Sequence, residues 1–371
     1  MKRFPILDIC ARIEGHKAQH AMLQGYCHDF MDWEELLHHA EKEGMTPLLK
    51  KHLEESGSVY PLAVRRSLHI LAKRHQHQAQ VRTAILQEIL HLFHRYELSP
   101  ILLKGAVLAY TLYPDPALRP MRDIDILLSD KDALVAQELL LDTGFIRADS
   151  PIPDDHFHLP SLLKQVDDVK ICVEIHRGLY PNCPPYYPQV DFHHMLATGK
   201  TFAIGEAEAI TFNDEEMLHY LYQHAFRAPL TYESYKLINA ADIIGFTEKH
   251  YKTLNWAKIE EQYPVLGKAL PLMHHISPWN FEKIAEDFIS TENKTVRLEP
   301  IAFHGWPQRR RKEFRAEGMA LHRVILDTFL PPSWWLKIYY GTTTKKEHLW
   351  SLLQRHPRHI AWWIRLLLSQ T

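Results

Sequence analysis

Residues 122–129 read RDIDILLS, and an apolar stretch before them, residues 101–105, reads ILLKG. In an extended chain successive side chains alternate between faces. Ile124, Ile126 and Leu128 then share one face of a strand, and Asp123, Asp125 and Leu127 share the other. The first face is a core face. On the second, two acids at i and i+2 have Cα atoms about 6.6–6.8 Å apart, so their oxygens can converge on cations held between them. ILLKG reads as a short buried strand stopped at Gly105, AVLAYTLY as a short helix, and PDPALRP as a proline-rich loop leading to the aspartates.

Reading outward from there, Asp130 opens a helix that ends near Gly144, a C′ glycine. Asp167-Asp168 marks a hairpin turn, and VKICVEIHRGL (169–179) is a strand with Val173, Ile175 and Arg177 opposite Glu174 and His176. Residues 98–205 are therefore α+β. Upstream, Val81, Ile85, Ile89, Leu92, Phe93 and Tyr96 recur at helical spacing until Ser99-Pro100 ends the pattern. Downstream, Asn213 with Glu216 three residues later resembles a capping box. The stripe Met217, Leu218, Leu221, Tyr222 and Ala225 follows, and a second helix runs from about Ser234 to Phe246. Three regions are expected: helical over 1–97, α+β over 98–205, and helical over 206–371.

Composition narrows the classes. The 371 residues carry 43 Lys and Arg against 45 Asp and Glu, a net charge of −2, so a dedicated nucleic-acid binder is disfavoured. Hydrophobic residues at 46% and charged residues at 24% exclude wholesale disorder, and only 14 glycines favour helices over turn-dense all-β folds. Cys10, Cys27, Cys172 and Cys183 are too scattered for a disulfide scaffold, which makes a reducing, cytoplasmic setting the expectation. Asp8 and Arg12 interrupt the apolar N-terminus before it reaches signal-peptide length, and no run of about 18 apolar residues appears. The 26 histidines include His75/His77, His156/His158 and the pairs His38-His39 and His193-His194. Without HExxH or a Cys/His quartet at zinc spacing, they read mainly as surface or hydrogen-bonded residues.

The chemistry-bearing set is Lys104-Gly105, Asp123, Asp125 and Glu174. Glu174 stands on a strand whose alternate face is apolar, so it joins the two aspartates as a third carboxylate. Three gathered carboxylates repel one another unless cations are bound. Two Mg²⁺ ions about 3.5–4 Å apart on hard oxygen ligands, as in phosphoryl and nucleotidyl transfer, meet that need. Gly105, where a strand turns into a helix, lets backbone N–H groups approach phosphate oxygens. Lys104, Arg119 and Arg122 are candidate cations for a triphosphate.

LLKGAVLAYTLYP (102–114), LRPMRDIDILL (118–128) and VEIHRGL (173–179) together resemble the polymerase-β-type nucleotidyltransferase superfamily, most closely its poorly characterised bacterial branch. The resemblance implies a mixed-sheet catalytic core flanked by N- and C-terminal helical regions. It implies transfer of a nucleoside monophosphate from an NTP, ATP first among them, to a hydroxyl of a small molecule or protein. By the family's motif roles, Asp123, Asp125 and Glu174 hold the metals, and Glu174 helps deprotonate the acceptor. The superfamily's usual Gly-Gly or Gly-Ser pair is Gly105-Ala106 here.

That departure supports the alternative, a catalytically weak nucleotide-binding scaffold or regulator that recruits partners through its helical regions. His176 shares a face with Glu174 and reads equally as a site residue or a structural one. His224 and Asp242 read as helix-packing residues. The basic run Arg309-Arg310-Arg311-Lys312 reads as a solvated helix face. Ile360, Trp363, Ile364 and Leu367 form a stripe on a Trp-rich C-terminal helix, which suits docking on the protein's own core or peripheral contact with a membrane.

Overall fold

The computed structural model describes residues 4–149, 152, 156–180, 191–227, 236–289, 322, 326, 329–331, 333–342 and 344–361. The basic run at 309–312, the tryptophans after Ile360, Ser234 and Cys183 lie outside them. Two compact units emerge: one comprises Asp32–Glu54 and Tyr60–Met217, the other Met1–Met31, Glu55–Val59 and Leu218–Thr371. The sheet and the predicted site belong to the first.

Helices α1 (Pro5–Ile9), α2 (Lys17–Cys27), α3 (Trp33–Glu43), α4 (Thr46–Glu55) and α5 (Leu62–Arg95) precede the sheet. Then come β1 (Ile101–Leu102), α6 (Gly105–Thr111), β2 (Ile124–Leu127) and α7 (Asp130–Asp142). Strands β3 (Ile146–Arg147), β4 (Leu162–Val166) and β5 (Val169–His176) follow, and after them α8 (Phe192–Thr198). A hairpin of β6 (Lys200–Ile204) and β7 (Ala207–Thr211) leads into α9 (Asp214–Tyr222).

The seven strands form one mixed sheet in the order β3-β4-β5-β2-β1-β7-β6. Strands β2 and β5 run parallel, as do β1 and β7, while β1 and β2 are antiparallel. The α+β class with a mixed sheet is as expected. Strand β7 carries the sheet past residue 205 to Thr211, so the β6–β7 hairpin crosses that expected boundary. Helix α5 is longer than the Val81–Tyr96 periodicity alone suggests, and it packs along β5 and β7.

Several local readings hold. Ser129 caps α7 by accepting the Asp132 N–H, and Gly144, just past its end, takes φ 90°. Asp167 takes φ 52° in the turn between β4 and β5. The Asn213 side chain accepts the Glu216 N–H at 3.1 Å, capping α9. In the core, Ile101, Leu102, Ile124, Ile126, Val173 and Ile175 are buried on the central strands.

The second unit is built around a different polar anchor. Arg12, fully buried, donates to Glu248 on α10 (Leu237–His250) at 2.6 Å and to the carbonyls of Glu14 and Pro278. Glu248 also accepts the Asn280 N–H at 2.9 Å. Gly245 on the same helix leaves room for Ile13, whose Cδ1 would lie 2.3 Å from an added Cβ. No helix among the described residues is long and apolar enough to cross a membrane.

Candidate active site

Register builds the site. Because β2 and β5 are parallel with Asp125 opposite Glu174, the two carboxylates stand side by side on one sheet face. Asp123, two residues earlier, shares that face. On the other side of β2, Leu102 pairs with Ile126 and the Leu103 N–H donates to the Asp125 carbonyl, so Lys104 leaves β1 beside Asp125. Lys104 has φ 45° and ψ −123°, a backbone conformation that costs an L residue about 1–3 kcal/mol. Its ammonium donates to Asp125 Oδ1 at 3.1 Å.

Asp125 lies deeper than a strand-edge acid: it is 2% exposed. The same Oδ1 is 2.9 Å from His176 Nε2, and His176 is 1% exposed. Glu174, partly open to solvent, lies with Oε2 3.8 Å from that nitrogen and accepts the Ser161 hydroxyl on Oε1 at 3.1 Å.

The electrostatics distinguish the acids. Burial alone would raise the Asp125 carboxyl, but Lys104 and His176 outweigh it and hold the group well below the usual carboxylate range. Asp123 is pushed up to about 6 by burial and by the charges of Asp125 and Glu174, against the partial relief of Lys104 and Arg119. For Lys104, burial opposes the charge, yet Asp125, Asp123 and Glu174 raise its pKa. Burial and the acids together push the neighbouring Cys172 thiol up to about 11. The site gathers three acids with Lys104 and, acting on Asp123, Arg119 and Arg82. Its hard carboxylate oxygens, with one imidazole nitrogen, are a donor set that fits divalent cations.

The predicted site residues divide. Asp123, Asp125, Glu174 and Lys104 come together. Arg119 is buried, donates to the Pro120 carbonyl at 2.8 Å and acts electrostatically on Asp123. Gly105 opens α6, two residues separating it from the end of β1, and a Cβ there would meet Met121 Cγ at 2.9 Å and displace that side chain. The following amides are committed: Ala106 N–H donates to Leu103 and Val107 N–H to Lys104, both at 3.1 Å. Arg122 is displaced from the expected set, being exposed and donating to the Lys42 carbonyl at the end of α3, at 3.1 Å. Its position just before the aspartates points it off the strand's acidic face.

Other residues emerge only in the fold. Arg82, buried on α5, feels the charge of Asp123. Ser161 meets Glu174 across the β4–β5 ladder. His158 bridges to His176 with ring centroids 5.4 Å apart. The His156/His158 pair, read from sequence as surface or hydrogen-bonded, reaches this site only through the fold. Other histidines are hydrogen-bonded as expected, His75 to Glu41 at 2.9 Å and His77 to Asp168 at 2.8 Å.

A search among curated proteins finds no match. Among solved structures, an antigenic nucleotidyltransferase-like protein from Paracoccidioides brasiliensis aligns with 54% of this chain and 95% of its own, at 15% identity and a TM-score of 0.34. The family described as uncharacterised nucleotidyltransferase matches residues 29–274. That span is well over half of the chain and contains the whole sheet and every acid of the site. On this match, the chain belongs to the uncharacterised nucleotidyltransferase family.

Proposed function

We propose that this chain is a Mg²⁺-dependent nucleotidyltransferase that moves a nucleoside monophosphate from an NTP, with ATP the first candidate, to a hydroxyl of a small molecule or protein side chain. The observation that carries the reading is the pairing of Asp125 with Glu174 across parallel strands, with Asp123 on the same face and Lys104 on Asp125. Asp123, Asp125 and Glu174 are the residues that would hold the metal. Bound divalent ions, two in this reading, would neutralise charge at the α-phosphorus and lower the acceptor's pKa.

The chain's own groups supply the rest. The acceptor oxygen attacks the α-phosphorus, the bond to the bridging oxygen of the β-phosphate breaks, and pyrophosphate leaves. Glu174, whose side chain keeps 23% solvent exposure against 2% for Asp125, is the acid placed to receive the acceptor's proton. Lys104 and Arg119 bring positive charge to the same pocket, as does Arg82 through Asp123. The balanced overall charge keeps nucleic acid an unfavoured acceptor, and a cytoplasmic setting belongs to this reading.

One observation favours a second reading. Lys104 and His176 already compensate Asp125 from within the protein, as suits a catalytically weak nucleotide-binding scaffold. Incubation with each α-³²P-labelled NTP, Mg²⁺ or Mn²⁺ and a cell extract separates the two. Label transferred covalently by the wild type and not by Asp125→Asn supports the enzyme. NTP retained without transfer supports the scaffold, and neither binding nor transfer refutes both.

A further inference from the structure

The buried imidazole of His176 faces an acceptor oxygen at each ring nitrogen. Its Nδ1 lies 3.3 Å from the Gly178 carbonyl and its Nε2 2.9 Å from Asp125 Oδ1. Both oxygens only accept, so Nε2–H bonds Asp125 while no cation is there, and a hydrogen held on Nδ1 by Gly178 leaves Nε2 open to one. In the tautomer with its hydrogen on Nδ1, Nε2 carries a lone pair. That lone pair faces Asp125 Oδ1 at 2.9 Å and Glu174 Oε2 at 3.8 Å. With the hydrogen on Nδ1, these three atoms offer a cation three converging lone pairs. The separations suit one: two ligand atoms each about 2.1 Å from an ion stand about 3–3.8 Å apart for angles of roughly 90–130°. One ligand atom from each of Asp125, Glu174 and His176 falls within 4.8 Å of the other two. Donation of the remote ring N–H to a backbone carbonyl is also how metal-ligating histidines are commonly oriented.

We propose that His176 Nε2 is itself a metal ligand, sharing with Asp125 and Glu174 an ion of the proposed metal site, and that this site takes a first-row transition divalent ion in preference to Mg²⁺. The inference rests on the nucleotidyltransferase reading for the presence of an ion and adds to it the nitrogen donor and its consequence. Mg²⁺ takes oxygen ligands almost exclusively, whereas imidazole favours the transition series. Lys104 donates to the same Asp125 oxygen, so an ion between Oδ1 and Nε2 displaces the ammonium from it.

Mn²⁺ alone is the probe, added to the full chain without nucleotide and read by electron paramagnetic resonance. Electron spin-echo modulation of the bound ion reports a directly coordinated imidazole ¹⁴N, and titration gives affinity, with Mg²⁺ as competitor. The expected result is ¹⁴N modulation in the wild type, at least about tenfold preference for Mn²⁺ over Mg²⁺, and loss of both in His176→Gln. Mn²⁺ bound without ¹⁴N modulation overturns the inference and leaves the carboxylate metal site standing. Modulation that persists in His176→Gln assigns the nitrogen to another residue, such as His158, and also overturns it. Absence of bound Mn²⁺ and Mg²⁺ alike removes the metal-dependent reading, and this inference with it. The wild-type spectrum decides the nitrogen question even if His176→Gln fails to fold.

Discussion

Replacing Asp125 by Asn removes one negative charge from between Lys104 and His176, which approach the same oxygen at 3.1 and 2.9 Å. Breaking a buried ion pair from one side costs about 3–5 kcal/mol when the remaining charge is enclosed. Lys104 keeps 18% of its side chain exposed and still feels Asp123 and Glu174. About 2–3 kcal/mol is therefore expected for the metal-free protein. Replacing Asp123 by Asn does the opposite. Its carboxyl is raised from 3.8 to about 6 by burial and the neighbouring acids, so the folded protein binds this proton more tightly than the unfolded chain. The stability it contributes is present below pH 4 and lost as pH rises through about 6. At about 1.4 kcal/mol per pH unit, keeping Asp123 ionised at neutral pH costs up to about 3 kcal/mol. Asn relieves about 1–3 kcal/mol of that, growing from about pH 4 and complete above about pH 6.

At about 2–4 °C per kcal/mol for a unit of this size, Asp125→Asn lowers the melting temperature by about 4–12 °C in EDTA at pH 7.5. Asp123→Asn raises it by a few degrees, and both variants lose label transfer. Calorimetric melts with and without EDTA measure this directly. The charge assignment is refuted if Asp125→Asn melts at or above the wild type, or if Asp123→Asn melts below it.

Lys104→Met removes the cation proposed for the triphosphate and the internal competitor for Asp125: the KM for NTP should rise about tenfold or more while the Kd for Mn²⁺ is unchanged or tighter, measured by steady-state transfer and paramagnetic titration. Below pH 6 the Mn²⁺ affinity should fall about tenfold per pH unit, because the Asp123 proton must leave before the ion binds; a flat profile from pH 5 to 8 would exclude Asp123 as a ligand. In the second unit, Arg12→Ala strands the Glu248 carboxylate, 3% exposed, and should cost about 3–5 kcal/mol by denaturant unfolding, with metal binding by the first unit intact as the control.

Much of this was legible from alternation and spacing. RDIDILL declares which side of β2 is core, and VEIH does the same for β5, because a strand with one apolar face has only one way to present the other. Gly144 and Asn213 announce helix ends through groups whose bonding needs are local. Arg12 shows the opposite case: in the sequence it is a charge that interrupts an apolar N-terminus, and only the fold brings it to Glu248, 236 positions away. Arg82 was equally hidden, since one arginine on a long amphipathic helix has no local sign that it faces an acid on a distant strand.

The same limit applies inside the site. DxD offers two aspartates of equal chemistry, and spacing says only that they share a face. What separates them is the third dimension: β1 ends beside Asp125, and the positive φ of Lys104 turns its ammonium onto that residue. β5 brings His176 to the same oxygen, while Asp123 is left to the longer-range charges of Lys104, Arg119 and Arg82. One acid is therefore held ionised well below the usual carboxylate range, and the other holds a proton until pH approaches 6. A divalent ion entering this pocket meets one ready carboxylate and one that must first release its proton. Metal loading and the charge state of Asp123 are then a single coupled equilibrium, set by contacts that no spacing rule within residues 122–129 contains.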